Sequence, residues 1–400
     1  MIWLFLLLFS DPASFEVRMK EGAAALQRGD VPAAREAFHA AIKLNEQNPG
    51  AWLMLAQTLA ANDPQAARQA AGRAENLGHD DPLMLQALAN FYAGVLPDLA
   101  SAARLGEQYA EKVPQDHAAW PKVAALYLEL GRSDDAIRTA SLGLKQEETA
   151  ELHLLLGRAL VERKDFSAAH AEFDSAIRLN PYDEDARFRN AQAYLLRQDF
   201  VHAAAALEDA KKVFARSPQI ELALGVAYYG QRKFEKAVDQ FLQTMRLAPD
   251  IPQPYVFLGK ILEHAGDHLP EIADRFSRFR ERNPNNPLGF VLHAKALIAE
   301  LPASGNTEQA DLAMSMLQKA LQMQDTSAEA HYLTGVLLER KREFPRAATE
   351  LERSIQLNAE DSAAHFRLAR VYDRLGRRED AERERALHEK LSEAEKAVAR

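Results

Sequence analysis

Two short motifs near the middle of the sequence contain residue types that could bind a metal ion or a phosphate. His264 and His268 form an H-x-x-x-H pair, which on one continuous helix would share a face and could bind zinc. Gly266 and Asp267 lie between them at a predicted turn, and no glutamate follows His264 as a zinc-protease motif requires. We therefore expect no metal site at this pair.

Gly225 and Gly230 have the spacing of the two glycines of a phosphate-binding loop. Such a loop continues with Lys and then Ser or Thr, which reach the phosphate and a magnesium ion. Here Gln231 and Arg232 follow, and the segment falls inside a predicted helix. The spacing therefore does not indicate a nucleotide site.

No other segment carries a catalytic signature. The sequence has no G-x-S-x-G nucleophile motif, and its Asp and Glu residues are spread over predicted exposed faces. His153, His331 and His365 recur at one position near the start of predicted helices, which favours a packing or helix-surface role. The absence of cysteine excludes disulfides, iron–sulfur clusters and thiolate zinc sites. We predict a protein that is not an enzyme, holds no metal or cofactor and acts on no small-molecule substrate.

The predicted helices follow a period of about 34 residues. Steps of 34 residues link Gly157, Ala191, Gly225 and Gly259 in succession. A fixed period of this length indicates stacked repeats, in which neighbours cover one another's apolar faces. One elongated stack is therefore favoured over two or three separate domains. The recurring small residues are Gly22, Ala56, Ala89, Ala124, Gly157, Ala191, Gly225, Gly259, Ala294, Gly335 and Ala369.

The clearest repeat covers residues 151–180. Apolar residues spaced by three and four form one helical stripe around Leu156 and a second around Phe173. Residues 164–166 separate the two stripes, and Pro181 ends the second helix because proline cannot continue it. One repeat is therefore predicted to be two antiparallel helices joined by a tight turn.

The recurring small residue predicts a close approach between these two helices. Gly157 and Ala169 are expected at the closest point, with Phe173 and Leu160 filling the space beside them. Glycine costs about 1 kcal/mol relative to alanine inside a helix. Its recurrence at one position indicates that close packing compensates for this cost.

A helix–turn–helix signature recurs in these repeats. Its residues include Trp52, Leu55, Ala56 and Leu59, then Trp120, Val123, Ala124, Tyr127 and Gly131, and also Leu224, Gly225, Tyr228, Phe234, Ala237, Phe241 and Pro249. The pattern resembles the tetratricopeptide repeat family over nearly the whole chain. This resemblance implies an all-α fold, a right-handed α-solenoid superhelix of about eleven repeats.

Three segments are predicted along the chain. Residues 1–14 form a hydrophobic leader, residues 15–385 the repeat solenoid, and residues 386–400 the charged end of a capping helix. The step from Ala294 to Gly335 is 41 residues, and the surplus fits a turn-rich loop at residues 302–307. That loop is either a surface connection or a clamp over a ligand.

The leader contains the apolar run IWLFLLLF at residues 2–9. Eight residues span about 12 Å as a helix, which is too short for a bilayer core of about 30 Å, so the run resembles a signal peptide. No Lys or Arg precedes it, and the cleavage site is ambiguous. We expect a bacterial periplasmic or secreted protein, with a cytoplasmic location as the alternative and membrane contact only through an uncleaved leader.

In the family that the chain resembles, the first helices line a concave groove. The lining residues lie three before, one after and four after the recurring small residue. Read onto this chain, those positions mix aromatic, apolar and cationic side chains, which are typical of binding hot spots. The predicted groove residues are Arg158, Phe188, Gln192, Tyr229, Lys260, Lys295, Tyr332, Phe366 and Arg370.

These observations predict a non-enzymatic scaffold that binds a peptide or helix of a partner protein in this groove. The cations Arg158, Lys260, Lys295 and Arg370 would meet acidic groups of the partner. The alternative is a self-assembling or envelope-complex subunit that uses the solenoid ends or the convex face. A formal net charge of −9 with both signs interspersed argues against nucleic acid as the partner.

Overall fold

The structure is a computed structural model that describes residues 12–301 and 307–398, and within these ranges every regular element is helical. The all-α prediction is confirmed. The apolar run of the predicted leader lies outside the described residues, and so does the predicted loop at 302–307 apart from the helix start at Thr307. The chain divides into two compact units, residues 1–197 (unit 1) and residues 198–400 (unit 2).

Unit 1 stacks hairpins of two helices. The pairs α1–α2, α3–α4, α5–α6, α7–α8 and α9–α10 pack together, and α11 follows them. The bounds are α1 Pro12–Gln27, α2 Val31–Leu44, α3 Pro49–Leu59, α4 Pro64–Gly78, α5 Pro82–Asn90, α6 Leu99–Lys112, α7 Ala119–Glu129, α8 Ser133–Gln146, α9 Ala150–Glu162, α10 Phe166–Leu179 and α11 Glu184–Leu196, with a π-helix at Phe91–Val95.

Unit 2 is built in the same way. The pairs α13–α14, α17–α18, α19–α20 and α21–α22 pack together, whereas α15 is short and continues as two 3-10 turns. The bounds are α12 Phe200–Val213, α13 Pro218–Gly230, α14 Phe234–Leu247, α15 Gln253–Lys260, the 3-10 turns Leu262–His264 and Gly266–His268, α16 Leu269–Arg282, α17 Pro287–Glu300, α18 Thr307–Met323, α19 Ala328–Arg340, α20 Phe344–Leu357, α21 Ser362–Arg374 and α22 Arg378–Val398. We call the odd-numbered helices first helices and the even-numbered helices second helices.

The turn within a hairpin has a left-handed residue seven places after the recurring small residue. Gly29 and Gly131 occupy this position with φ of 77° and 67°. Lys164, Arg232 and Arg342 adopt the same conformation without being glycine, with φ between 59° and 61°. A left-handed residue ends the first helix and reverses the chain, and in these five turns the second helix begins two residues later.

The recurring glycines lie under a large side chain of the second helix. A Cβ added at Gly22, Gly157 or Gly225 would lie 2.5–2.6 Å from the ring of the phenylalanine sixteen residues later. At Gly335 the neighbour is Leu351, at 2.7 Å. No real Cβ makes such short contacts, so these positions need glycine for steric reasons. The phenylalanine partners, Phe38, Phe173 and Phe241, are almost completely buried.

A second recurring feature is a side-chain hydrogen bond that joins a first helix to the turn before it. Four residues before the small residue, a ring donor reaches back to a backbone carbonyl six residues earlier. Trp52 donates to the Glu46 carbonyl at 2.9 Å, and Tyr255 to that of Pro249 at 2.8 Å. The recurring histidines use this position for a bond to the second helix, and His153, His331 and His365 pair with Glu172, Glu350 and Glu384 at 2.5–2.7 Å.

Replacing Gly225 with leucine tests the close packing. The added side chain would overlap the Phe241 ring, so we expect the free energy of unfolding to fall by about 1–3 kcal/mol or more. The matched control is Gly72→Ala in α4, where an added Cβ meets nothing within 4 Å. That change is expected to raise stability by about 0.5–1 kcal/mol. Urea unfolding measures both, and a Gly225→Leu variant as stable as wild type would contradict the packing.

His293 gives the fold a predicted sensitivity to acid. Its side chain is 8% exposed in α17, and its Nδ1 atom has no hydrogen-bond partner among the described residues. Burial lowers the pKa of His293 to about 4, and the Arg280 guanidinium acts in the same direction, whereas Glu281 opposes it. The folded protein therefore keeps this imidazole neutral.

The unfolded chain takes up a proton at His293 near pH 6.5, above the folded pKa, so the stability should decrease as the pH falls from about 6.5 to about 4. His293→Leu removes this proton uptake. We expect the wild type to lose more unfolding free energy than His293→Leu between pH 7 and pH 5, measured by urea unfolding. The same loss in both proteins would contradict a buried neutral His293.

Candidate functional site

Two of the three predicted groove residues of unit 1 line the same small cavity. Arg158 of α9 and Gln192 of α11 line a space of about 140 Å³ together with Arg189 and Phe173. Arg189 is held by Asp185 at 3.0 Å and donates to Gln192 at 3.3 Å. Phe188, on the same helix, is half-buried. This part of the predicted groove therefore presents a cation and an amide side by side.

In unit 2, Tyr229 packs within the protein rather than standing free. Its ring makes edge contacts with Phe257 and Phe234, at centroid distances of 5.2 and 5.8 Å. Lys260 is exposed, and its ammonium lies 5.9 Å from the centre of the Phe257 ring. Tyr229 thus contributes to the core between repeats, while Lys260 stays accessible to a partner.

Two of the expected cations form ion pairs with the neighbouring first helix. Lys295 of α17 pairs with Glu329 of α19 at 2.5 Å. Arg370 of α21 pairs with Glu339 of α19 at 3.2 Å. These contacts fix the lysine and arginine between successive repeats, so binding an acidic partner would require them to share or exchange carboxylates.

Two aromatic residues of the predicted groove, Tyr332 and Phe366, each contact an arginine of unit 2. The Tyr332 hydroxyl accepts a hydrogen bond from Arg367 at 2.9 Å. Phe366 is 44% exposed, with the Arg370 guanidinium 5.8 Å from its ring centre and His388 against it. Phe366 and Arg370 therefore form the most accessible aromatic and cationic pair among the predicted positions of unit 2.

A further concavity, with a mostly apolar interior, is a slot in unit 1 of about 350 Å³, which we call the α5–α7 slot. Its interior consists mostly of small or apolar side chains, and its rim carries amide and charged groups. The lining residues are Gln86, Ala89, Asn90, Ala93, Ala102, Gly106, Tyr109, Asp116, Ala119, Lys122, Val123, Ala125, Leu126 and Glu129.

The slot exists because of local backbone and side-chain features. Helix α5 continues as a π-helix at Phe91–Val95, where the Leu96 amide donates to the Phe91 carbonyl at 3.0 Å. A π-helix widens the turn, and such segments are frequent at functional sites. Opposite it, Gly106 and Ala125 provide no side chain large enough to fill the gap. The result is an open apolar space between two neighbouring first helices.

Tyr109 is fixed at the edge of this slot. Its hydroxyl donates a hydrogen bond to the Asp116 carboxylate at 2.8 Å, and this bond raises the pKa of Tyr109. The phenol ring therefore holds one orientation against the slot, which gives it a defined wall.

The sequence contained the signal for this site. Gln86, Asn90 and Ala93 lie three before, one after and four after Ala89, which are the same positions that define the predicted groove. The predicted set began at Arg158, so it did not include the slot. Extending the rule to the earlier repeats would have found its rim.

The two motifs that could have carried other chemistry have structural partners instead. His264 stacks on Phe234 at a centroid distance of 4.4 Å, and His268 lies 3.2 Å from Asp239. The left-handed Gly266 separates the two histidines. Gly230 ends α13 against the Phe200 ring. No group of three potential metal ligands occurs within residues 12–301 and 307–398.

The sequence profile described as Tetratricopeptide repeat matches residues 19–82, 154–219, 222–287, 306–359 and 340–387, well over half of the chain. The chain belongs to the tetratricopeptide repeat family. The resemblance seen in the sequence is therefore confirmed. The hand of the superhelix and the number of eleven repeats stay predictions.

Several solved structures are similar to this tetratricopeptide repeat protein at low identity. The C-terminal part of a repeat protein from Cytophaga hutchinsonii shares 16% identity over 70% of this chain and 98% of its own, with a TM-score of 0.45. The Cut9–Hcn1 complex of the APC/C shares 12% identity over 94% of this chain and 93% of its own, with a TM-score of 0.44. YrrB, described as a TPR protein with an unusual peptide-binding site, shares 19% identity over 46% of this chain and 95% of its own, with a TM-score of 0.38. No curated protein matches this sequence significantly.

Across the described part of this repeat protein, no helix is both long enough and apolar enough to cross a membrane.

Alanine substitutions distinguish groove residues that are free from those that pack. Tyr229→Ala removes two aromatic contacts and should lower the unfolding free energy by about 2 kcal/mol or more. Arg158→Ala should change it by less than about 0.5 kcal/mol, because Arg158 makes no hydrogen bond or ion pair with the described residues. Chemical denaturation measures both values. Equal losses in the two variants would show that the two side chains do not differ in this way.

Proposed function

We propose that this chain is a non-enzymatic scaffold that binds a peptide or helix of a partner protein on its first-helix face. The α5–α7 slot carries this proposal, because it combines an apolar interior with a polar rim at the groove positions of its repeat. Tetratricopeptide repeat proteins are in general interaction scaffolds, which supports the same function class.

The slot is suited to one large apolar side chain of the partner. A space of about 350 Å³ lined by alanine, glycine, valine and leucine can take up such a side chain, whose burial contributes about 1.5–3 kcal/mol. The rim amides of Gln86 and Asn90 can both donate to and accept from the partner's backbone. Lys122 and Glu129 at the rim can set the orientation of a charged neighbour.

The other accessible groove residues extend this surface within each unit. In unit 1, Arg158 and Gln192 offer an additional cation and amide. In unit 2, Lys260, Phe366 and Arg370 are the exposed predicted positions. We propose that these residues add contacts to an extended partner, whereas Tyr229, Lys295 and Tyr332 mainly hold neighbouring helices in place.

Filling the slot tests the proposal. Ala125→Trp places a large ring in the slot from an exposed position, so we expect it to exclude the partner without changing the core. The control, Ala171→Trp, adds the same ring on the exposed surface of α10. Partners are identified by crosslinking and mass spectrometry in the native cells, and both variants are checked for wild-type melting.

The proposal predicts a set of crosslinked proteins that is present with wild type and Ala171→Trp and depleted with Ala125→Trp. If Ala125→Trp recovers every partner of the wild type, the slot is not the binding site. In that case the solenoid ends and the convex face would be tested next, because these are the surfaces expected for the alternative, a self-assembling or envelope-complex subunit.

We also propose that the protein is exported to the periplasm or secreted. The apolar run at residues 2–9, followed by small and polar residues, supports this location. N-terminal sequencing of the protein from fractionated cells would identify a cleaved leader, and a cytoplasmic protein that retains residues 1–14 would contradict the proposal.

A further inference from the structure

Another cavity, in unit 2, is lined mainly by arginines of second helices, and Met245, Pro249 and Tyr255 also form part of its wall. It has a volume of about 410 Å³ and is bounded by Arg246 at the end of α14 and by Arg275, Arg278 and Arg282 of α16. Spacings of three and four residues place the three arginines of α16 on one side of that helix. We call this space the arginine cavity.

The guanidinium groups of this cavity are held in place before any ligand binds. Glu271 accepts hydrogen bonds from Arg246 at 2.7 Å and from Arg275 at 2.9 Å. The bond from Arg246, together with that from Arg275, lowers the pKa of Glu271, so this carboxylate stays charged. Side chains that are already fixed lose less conformational entropy when a ligand binds than side chains that the ligand must order.

The other two arginines are also oriented by neighbours. Arg282 donates to the Asp250 carboxylate at 2.8 Å and to the Pro249 carbonyl at 3.1 Å. Arg278 donates to Asp274 through Nε at 3.1 Å, and its side chain is 69% exposed. Its two terminal nitrogens make no hydrogen bond with the described residues, so they are available to a ligand.

The lining has more positive than negative charge. Four guanidinium groups face a single lining carboxylate, Glu281, which already pairs with Arg280 at 3.0 Å. The carboxylates that orient the arginines are Glu271, Asp274 and Asp250; with Glu281 they make four, against five guanidinium groups when Arg280 is counted with the four lining arginines. The cavity therefore keeps a positive excess together with donors that approach from two helices.

We propose that the arginine cavity binds a phosphoryl group. Glu271 accepts hydrogen bonds from Nε and one terminal nitrogen of both Arg246 and Arg275, whereas the two terminal nitrogens of Arg278 have no hydrogen-bond partner among the described residues. A tetrahedral phosphate has oxygens on several sides and can reach them, whereas a planar carboxylate has only two oxygens. The phosphoryl group belongs either to a small molecule or to a phosphorylated side chain of a protein.

This site is separate from the α5–α7 slot, which lies in unit 1, and it does not depend on the proposed scaffold function. Failure of one proposal therefore leaves the other unaffected.

Phosphorus NMR titration of the full chain with inorganic phosphate tests the site. We expect binding by wild type and about tenfold weaker binding, or none, in Arg278→Gln and in the double variant Arg275→Gln/Arg278→Gln, since each loses charged hydrogen bonds. Arg163→Gln removes a comparably exposed arginine of unit 1 and should bind like wild type. Melting curves confirm that Arg278→Gln is folded, as its exposed position predicts.

The source of the phosphoryl group is distinguished by a second titration, with a phosphoserine peptide and its unphosphorylated twin. Tighter binding of the phosphopeptide than of inorganic phosphate assigns the cavity to a phosphoprotein, and no gain over phosphate assigns it to a small phosphorylated molecule. The proposal is overturned if wild type binds neither phosphate nor phosphopeptide, or if Arg278→Gln and the double variant bind as wild type does.

Discussion

The contact between a small first-helix residue and a large second-helix side chain sets the distance between the helices of a hairpin. At Gly22, Gly157 and Gly225, the space of a Cβ is taken by a buried phenylalanine ring. The glycine costs about 1 kcal/mol of helix stability, and burial of the ring contributes more than that. Because each hairpin covers its neighbours, this spacing determines how well the apolar faces of each unit are buried.

Open space arises in unit 1 where small residues line neighbouring helices. The α5–α7 slot is lined by Ala89 on α5, Gly106 on α6 and Ala125 on α7, and a π-helix widens the end of α5. The Tyr109 ring lies at its edge. The open volume of the slot therefore results from a local departure from the repeat pattern, while the neighbouring helices supply its walls. The arginine cavity departs in another way, because long charged side chains replace apolar ones at its walls.

Much of the fold could be predicted from the sequence because its determinants are local and repeated. The helical stripes, the break at residues 164–166 and the role of Phe173 beside Gly157 depend on residues fewer than twenty apart. The pairing of Lys295 with Glu329 could not be predicted, because a flexible cation can reach several carboxylates on the next repeat. Nor could the π-helix, since no residue pattern at Phe91–Val95 distinguishes it from an α-helix. The rim residues of the slot could thus be predicted from the repeat positions, but its volume could not, because that volume depends on the π-helical backbone.

The close helix contact is tested most directly by NMR on protein labelled selectively at glycine and phenylalanine. The structure predicts nuclear Overhauser effects from the Gly157 and Gly225 α-protons to the rings of Phe173 and Phe241, with ring-current shifts of those α-protons. Gly72, which has no such neighbour, should show neither. If Gly157 and Gly225 gave spectra like that of Gly72, the helices would not be held at the distance on which the fold and the slot depend.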